Sequence, residues 1–245
     1  MCATQVQSWE LAVTGMKGEW GRFGSLPELS IAEWEAALSE MALEMRAIKH
    51  EGHWSSGPSD LLSVARRSGD ELVHSNILAW LLTPTARHGL RTALLVDVLQ
   101  ATWQIDLDPS WSVRVRREVV RKDATRNRIA DVIVEAGPLR LVIENKVFSR
   151  EDKLQCEDLY WLWTAPRDDE AWTPELVRFV FLTRHGRPPA SVETDDAAEA
   201  WMPLDHAWIA DWLLRHVGDV RSPVARSSAI QYLISLRRIS RRTPS

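Results

Sequence analysis

Two apolar runs carry charges that a buried strand normally excludes. Arg128–Glu135 (RIADVIVE) contains Asp131, and Leu139–Lys146 (LRLVIENK) ends in Glu144, Asn145 and Lys146. A charge on a core strand costs free energy unless it is paired or holds a metal. Side chains alternate along a strand, so Glu144 and Lys146 share one face and Leu141 and Ile143 the other. The runs are separated by Gly137 and Pro138. If the hairpin loop is those two residues, or the four from Ala136 to Leu139, Asp131 stands opposite Glu144, with β-carbons about 4.5–5.5 Å apart. A three-residue loop would set Asp131 against Ile143 instead. Two opposed carboxylates repel, and a divalent cation between them turns repulsion into attraction. Mg²⁺ characteristically takes one or two carboxylates plus substrate phosphate. The plainer alternative is a half-exposed hairpin with Asp131 and Glu144 at its ends and Lys146 solvated.

The elements that must position these residues can be read from hydrophobic spacing. Leu29 to Ile48 reads as an amphipathic helix with Ile31, Trp34, Leu38, Met41, Leu43 and Met45 as its apolar side. Gly52 to Asp60 reads as a loop. A helix opens near Ser68, the expected N-cap, with Val73, Ile77, Trp80 and Leu81 as its stripe and Glu71, His74 and Ser75 on the polar side. Thr83-Pro84 stops it. Leu90 to Trp103 reads as the next helix, with Leu94, Leu95, Val98 and Leu99 inward. Strands follow at 113–120, 129–135 and 139–146, then a helix capped by Ser149 over Arg150 to Ala165. Leu176 to Thr183 is apolar enough for a strand buried on both faces. Two amphipathic helices, Asp205 to Val217 and Val224 to Arg238, close the chain. This order predicts an α/β fold: a mixed central sheet flanked by helices, with additional helices at both termini. The expected organisation is an N-terminal helical extension over 1–60 and a second domain over 61–245.

Composition is globular, with 45% hydrophobic and 26% charged residues over 245 positions and a net charge of -4. The whole chain is therefore not a basic nucleic-acid binder. Charge is nevertheless uneven. Arg114, Arg116, Arg117, Arg121, Lys122, Arg126 and Arg128 face only Glu118 and Asp123 within their stretch, a pattern that suits a polyanion or a solvated face. Arginines recur near the C-terminus. Two cysteines, Cys2 and Cys156, are too few for a disulfide framework or a cysteine zinc site. The opening residues lack a signal-peptide pattern, and no apolar run approaches the roughly 20 residues needed to span a bilayer. A cytoplasmic location is expected. Most of the 13 tryptophans should pack helices and core.

The order and spacing of these residues resemble the PD-(D/E)XK nuclease superfamily, and most closely a bacterial group within it. The opening motif is Glu71-Leu-Val-His74-Ser75, then Leu78, Leu81, Leu82 and Pro84, then His88-Gly89. The central block is Asp131 followed by Glu144-Asn145-Lys146, and Gln155 lies on the next helix. Trp201 to His216 and Gln231-Tyr232-Leu233 resemble the family's C-terminal helices. The likeness runs from about Glu71 to Arg238. Ala130 stands where the superfamily's name has proline, and Cys156 where leucine is usual after Gln155. The resemblance implies a restriction-endonuclease-like core and a Mg²⁺-dependent nuclease, with Mn²⁺ able to substitute and DNA as the expected partner.

By the same resemblance, Asp131, Glu144 and the Asn145 backbone carbonyl hold the metal, and Lys146 assists the attacking water. Gln155 positions water or substrate. Glu71 is an outer or second-metal ligand, unless it serves Ser68 as the far half of a capping box. The basic residues Arg114, Arg116, Arg121, Lys122, Arg126 and Arg128 would hold the nucleic-acid backbone without reading bases. His74 and His88 match the motif with packing or helix-end bonding as their expected use, and His185 reads as a surface-loop residue. The rival function is a nucleic-acid- or partner-binding module on the same fold without turnover. Homo-oligomerisation stays open. The chain contains no P-loop, dinucleotide glycine motif, Gly-x-Ser-x-Gly or His-Glu-x-x-His, so other common enzyme chemistries find no footing.

Overall fold

The computed structural model describes residues 31–50, 57, 60–166 and 172–241. The chain divides into two compact units, Met1–Gly57 and Pro58–Ser245. Within the first, helix α1 spans Ile31–His50. Trp34, Leu38, Met41, Leu43 and Met45 of that helix are exposed. The expected loop from Gly52 to Asp60 falls almost wholly outside the described residues.

The second unit is built on a five-stranded mixed sheet. Its strands are β1 (Val113–Lys122), β2 (Asn127–Ala136), β3 (Leu139–Asn145), β4 (Leu176–Thr183) and β5 (Trp201–Asp205), in spatial order β1-β2-β3-β4-β5. The first three pair antiparallel, whereas β4 runs parallel to β3 and β5 parallel to β4. Every residue of β3 is buried. One sheet face packs Leu141, Ile143, Val132 and Val134 against four helices. These are α3 (Glu71–Leu82), α4 (Ala93–Trp103), α7 (His206–His216) and α8 (Pro223–Arg241), and a one-turn helix, α2 (Leu61–Val64), precedes them. The other face packs Val142, Ile133, Phe179 and Phe181 against α5 (Gln155–Thr164), and a short α6 (Asp195–Ala200) precedes β5. Among the described residues no helix is long and apolar enough to cross a membrane.

The β2–β3 connection is a two-residue turn. Ala136 pairs with Leu139, and the register continues through Val132 opposite Ile143. Gly137 has φ +52°, and a β-carbon there would sit 2.4 Å from the Trp111 ring. Glycine is required on both counts. Pro138 cannot donate a ladder bond, and its carbonyl accepts from Glu175 and Leu176 as β4 begins.

Four sequence expectations are corrected. Asp70, not Ser68, caps α3: its carboxylate accepts from the Val73 amide, and Glu71 is the first helical residue. His74 and Ser75 point into the protein rather than along a polar face. The helix expected from Arg150 begins only at Gln155, because Leu154 adopts φ +57° and Glu151 turns away to bind the Ala190 and Ser191 amides. Finally, the helical likeness that starts at Trp201 gives way to a strand, β5, and the helix begins only at His206. The five strand residues include Pro203, tolerated because an edge strand has one unpaired side.

Candidate metal and catalytic site

The β2–β3 register places Asp131 opposite Glu144 at the end of the hairpin, one step beyond the Val132–Ile143 pair. Both lie toward the α5 side of the sheet. Glu144 is 1% exposed. Its Oε1 accepts from Gln155 Nε2 at 2.6 Å and lies 3.2 Å from Lys146 Nζ. Its Oε2 is buried without a hydrogen-bond partner. Asp131 Oδ2 accepts from the Asn145 backbone amide at 2.7 Å. Gln155 is itself oriented, since its Oε1 accepts from the Asp152 amide at 3.2 Å. That leaves its amino group facing Glu144.

Burial and repulsion set the charge state of this pair. Loss of water pushes the Asp131 carboxyl up to about 6, against the pull of the Asn145 amide and Lys146. Burial, reinforced by Asp131, pushes Glu144 up to about 8. For Lys146 burial opposes the charge, but the Glu144 and Glu71 carboxylates outweigh it and draw its pKa upward. A buried pair that retains a proton near neutrality, beside a fixed ammonium, favours a bound cation in place of that proton.

Glu71 stands at the start of α3 and reaches the segment that leaves β3. Its Oε1 accepts from the Val147 and Ser149 amides at 2.8 and 3.0 Å, and Ser149 Oγ lies 2.7 Å from both carboxylate oxygens. Lys146 Nζ lies 3.8 Å from Glu71 Oε2. Glu71 therefore clamps the 146–149 segment and is no capping-box partner of Ser68. Among the described residues no group of three or more His, Cys, Asp or Glu side chains is arranged to hold a metal ion. Glu144 and Asp131 stand together, and Glu71 spends its oxygens on the loop.

The histidines of the opening motif are structural. His88 Nε2 donates to the Trp80 carbonyl, and its Nδ1 accepts from the Leu90 amide. His74 bonds the Ser68 carbonyl and meets Tyr232. His185 is exposed, yet it lines a cleft of about 180 Å³ that also holds Lys146, Phe148, Thr183, Arg184 and Arg187. A larger cleft of about 420 Å³ adjoins it through Ser149 and Arg187 and is flanked by Arg150 and Lys153.

The residues of the basic run occupy different environments. Arg121 is 5% exposed, its guanidinium lies 3.8 Å from the centre of the Trp163 ring, and it donates to the Leu162 carbonyl. It is an interior residue, and its expected contact with nucleic acid is corrected on that ground. Arg116 pairs with Glu135, Arg126 with Asp123 and Asp158, and Arg128 with Asp158. Arg114 and Lys122 are exposed on β1.

Two residues near the site carried no sequence signal of their own. Glu118 lies opposite Asp131 between the Arg117–Val132 and Val119–Ala130 pairs, with φ +48°, and its charge adds to the push on Asp131. Counting from the 123–126 turn would have found it. His206, which bonds the Asn145 side chain, could not be found this way, because its partner is 61 residues distant.

Residues 59–235 match a family model described as the PD-(D/E)XK nuclease superfamily. No curated protein and no solved structure gives a significant match. The five-stranded mixed sheet and its flanking helices are consistent with the restriction-endonuclease-like fold.

Proposed function

The chain belongs to the PD-(D/E)XK nuclease superfamily, and from that premise we propose that it is a metal-dependent nuclease hydrolysing phosphodiester bonds in DNA. One observation carries the reading. Glu144 Oε2 is buried and unpartnered, beside Asp131 and a lysine held 3.2 Å from the same carboxylate. An orphaned carboxylate oxygen is costly, and a divalent cation relieves it.

Asp131, Glu144 and the Asn145 backbone carbonyl are the residues that would hold Mg²⁺ or Mn²⁺, whose bound chemistry is to polarise a phosphate and acidify a water. The chain's own groups do the rest. Gln155 donates to Glu144 Oε1, while Glu144 Oε2 keeps no hydrogen-bond partner in the protein. Lys146, kept charged by Glu144 and Glu71, donates toward the attacking water and offsets charge developing on phosphate. Glu71 fixes the segment that carries Lys146. The cleft beside Lys146, with His185 and Arg187 on its wall, is where a phosphodiester backbone would lie in this reading. Residues 61–245 carry the activity in this reading, with 1–60 outside it.

The test incubates the purified chain with linear and circular DNA and with RNA, in Mg²⁺, Mn²⁺ or chelator, beside Asp131→Ala and Lys146→Ala. Metal-dependent cleavage lost in both folded variants is expected. Cleavage equal in wild type and variants rejects the assignment. Binding without cleavage under every metal condition leaves a non-catalytic module instead.

A further inference from the structure

Asn145 links the hairpin that carries the two carboxylates to α3 and α7. Its backbone amide donates to Asp131 on one side of β3. Its side chain, on the other side, is held at every polar atom. The Nδ2 group lies 3.1 Å from Ser75 Oγ and 3.4 Å from the Glu71 carbonyl, both on α3. Oδ1 lies 2.9 Å from Nε2 of His206, the first residue of α7. Because Oδ1 can only accept, His206 must carry its proton on Nε2.

That tautomer leaves His206 Nδ1 as a bare lone pair, and this atom is buried without a partner. His206 is wholly buried and stacks on His74 at 5.9 Å. An unsatisfied buried nitrogen is a standing cost, and a leucine of similar volume would avoid it. Core stability alone therefore does not account for histidine here. The feature it uniquely supplies is the Nε2–H aimed at Asn145 Oδ1.

We infer that His206 is a positioning residue for the proposed metal site: its Nε2–H fixes the Asn145 amide, and through it the spacing between the Glu71 end of α3 and the Asp131–Glu144 pair. Without that donor the amide can flip. A flip places oxygen against the Glu71 carbonyl and weakens the tie from β3 to α3, leaving only the Ser75 hydroxyl able to donate to it. The backbone that meets Asp131 is then less firmly anchored. The effect belongs to the class of outer-sphere partners whose removal typically costs 10- to 100-fold in metal affinity.

This inference rests on the metal-site reading, so the experiment separates the two. Mn²⁺ affinity is measured by calorimetry and by electron paramagnetic resonance for wild type, His206→Leu and His206→Gln, with thermal melts in chelator. Gln places an N–H close to the position of Nε2. His206→Leu is expected to melt no lower than a few degrees below wild type and to bind Mn²⁺ about 10-fold more weakly. His206→Gln is expected to recover most of the affinity. If His206→Leu does not fold, Ser75→Ala tests the opposite side of the same amide, and a comparable loss supports the inference. Wild-type Mn²⁺ affinity in a folded His206→Leu, or failure to rescue by a folded His206→Gln, overturns it. If wild type itself binds no Mn²⁺, the metal-site reading fails and takes this inference with it.

Discussion

Replacing Glu144 with Gln in metal-free protein should flatten the loss of stability between pH 5 and pH 8. Glu144 is 1% exposed, and its pKa is pushed from the ordinary 4.5 to about 8. The folded state therefore holds a proton that the unfolded chain has released. Stability contributed this way is full below pH 4.5 and is lost as pH rises through about 8. Each tenfold difference in proton affinity between the folded and unfolded states is worth about 1.4 kcal/mol, so Glu144 alone accounts for a loss on the order of 3 kcal/mol over this window. Such a change corresponds to roughly 6–12 °C in melting temperature for a body of this size. Asp131, raised to about 6, adds a smaller loss at the acid end. His74 and His206 are pushed down by burial, so each contributes stability above its ordinary pKa of 6.5 that is lost on acidification. That opposite slope is common to both proteins and cancels in the difference. The assay is urea unfolding at several pH values in chelator, for wild type and Glu144→Gln. Parallel pH profiles would refute the argument that burial and Asp131 hold a proton on Glu144. Saturating Mg²⁺ should flatten the wild-type profile too, because the ion replaces the proton.

Lys146→Met should keep Mn²⁺ binding and lose about 10²–10³-fold in cleavage rate, read in single-turnover assays. Glu71→Gln removes the charge from a clamp that receives two amides and a hydroxyl. It should increase hydrogen exchange at Val147 and Ser149 and cost about 1–3 kcal/mol, read by mass spectrometry and urea melts. Arg121→Ala should destabilise the fold by about 2–4 kcal/mol through the lost Trp163 stack and Leu162 bond. DNA binding by its folded fraction should match wild type in fluorescence anisotropy.

Much of the site was legible in the residue order because it is local. Asp131 and Glu144 lie within one hairpin, and Gly137-Pro138 is a two-residue turn that fixes their register. Period-two alternation then puts Lys146 beside Glu144, as the 3.2 Å contact shows. The same local logic gave the three consecutive strands and the buried run of β4, while the antiparallel pairing of β1 with β2 emerged only from the structure. It failed where distant groups outcompete nearby ones. Ser68 lost the N-cap to Asp70, and Glu71 was drawn to amides 76 and 78 residues away. Glu151 left its expected helix for the 190–191 loop. Arg121 looked like one cation among seven until α5 brought Trp163 over it.

In the sequence by itself, strand periodicity, acting over a few residues, was enough to bring two carboxylates and the following lysine onto neighbouring strand-like runs, and the observed two-residue turn then selected the register that sets Asp131 opposite Glu144. Tertiary packing alone decided which carboxylate oxygen stays free, how far burial raises Asp131 and Glu144, and that His206 closes on Asn145. Those properties depend on how much water α3, α5 and α7 exclude from the end of β3, and exclusion is a collective effect of elements far apart in the chain.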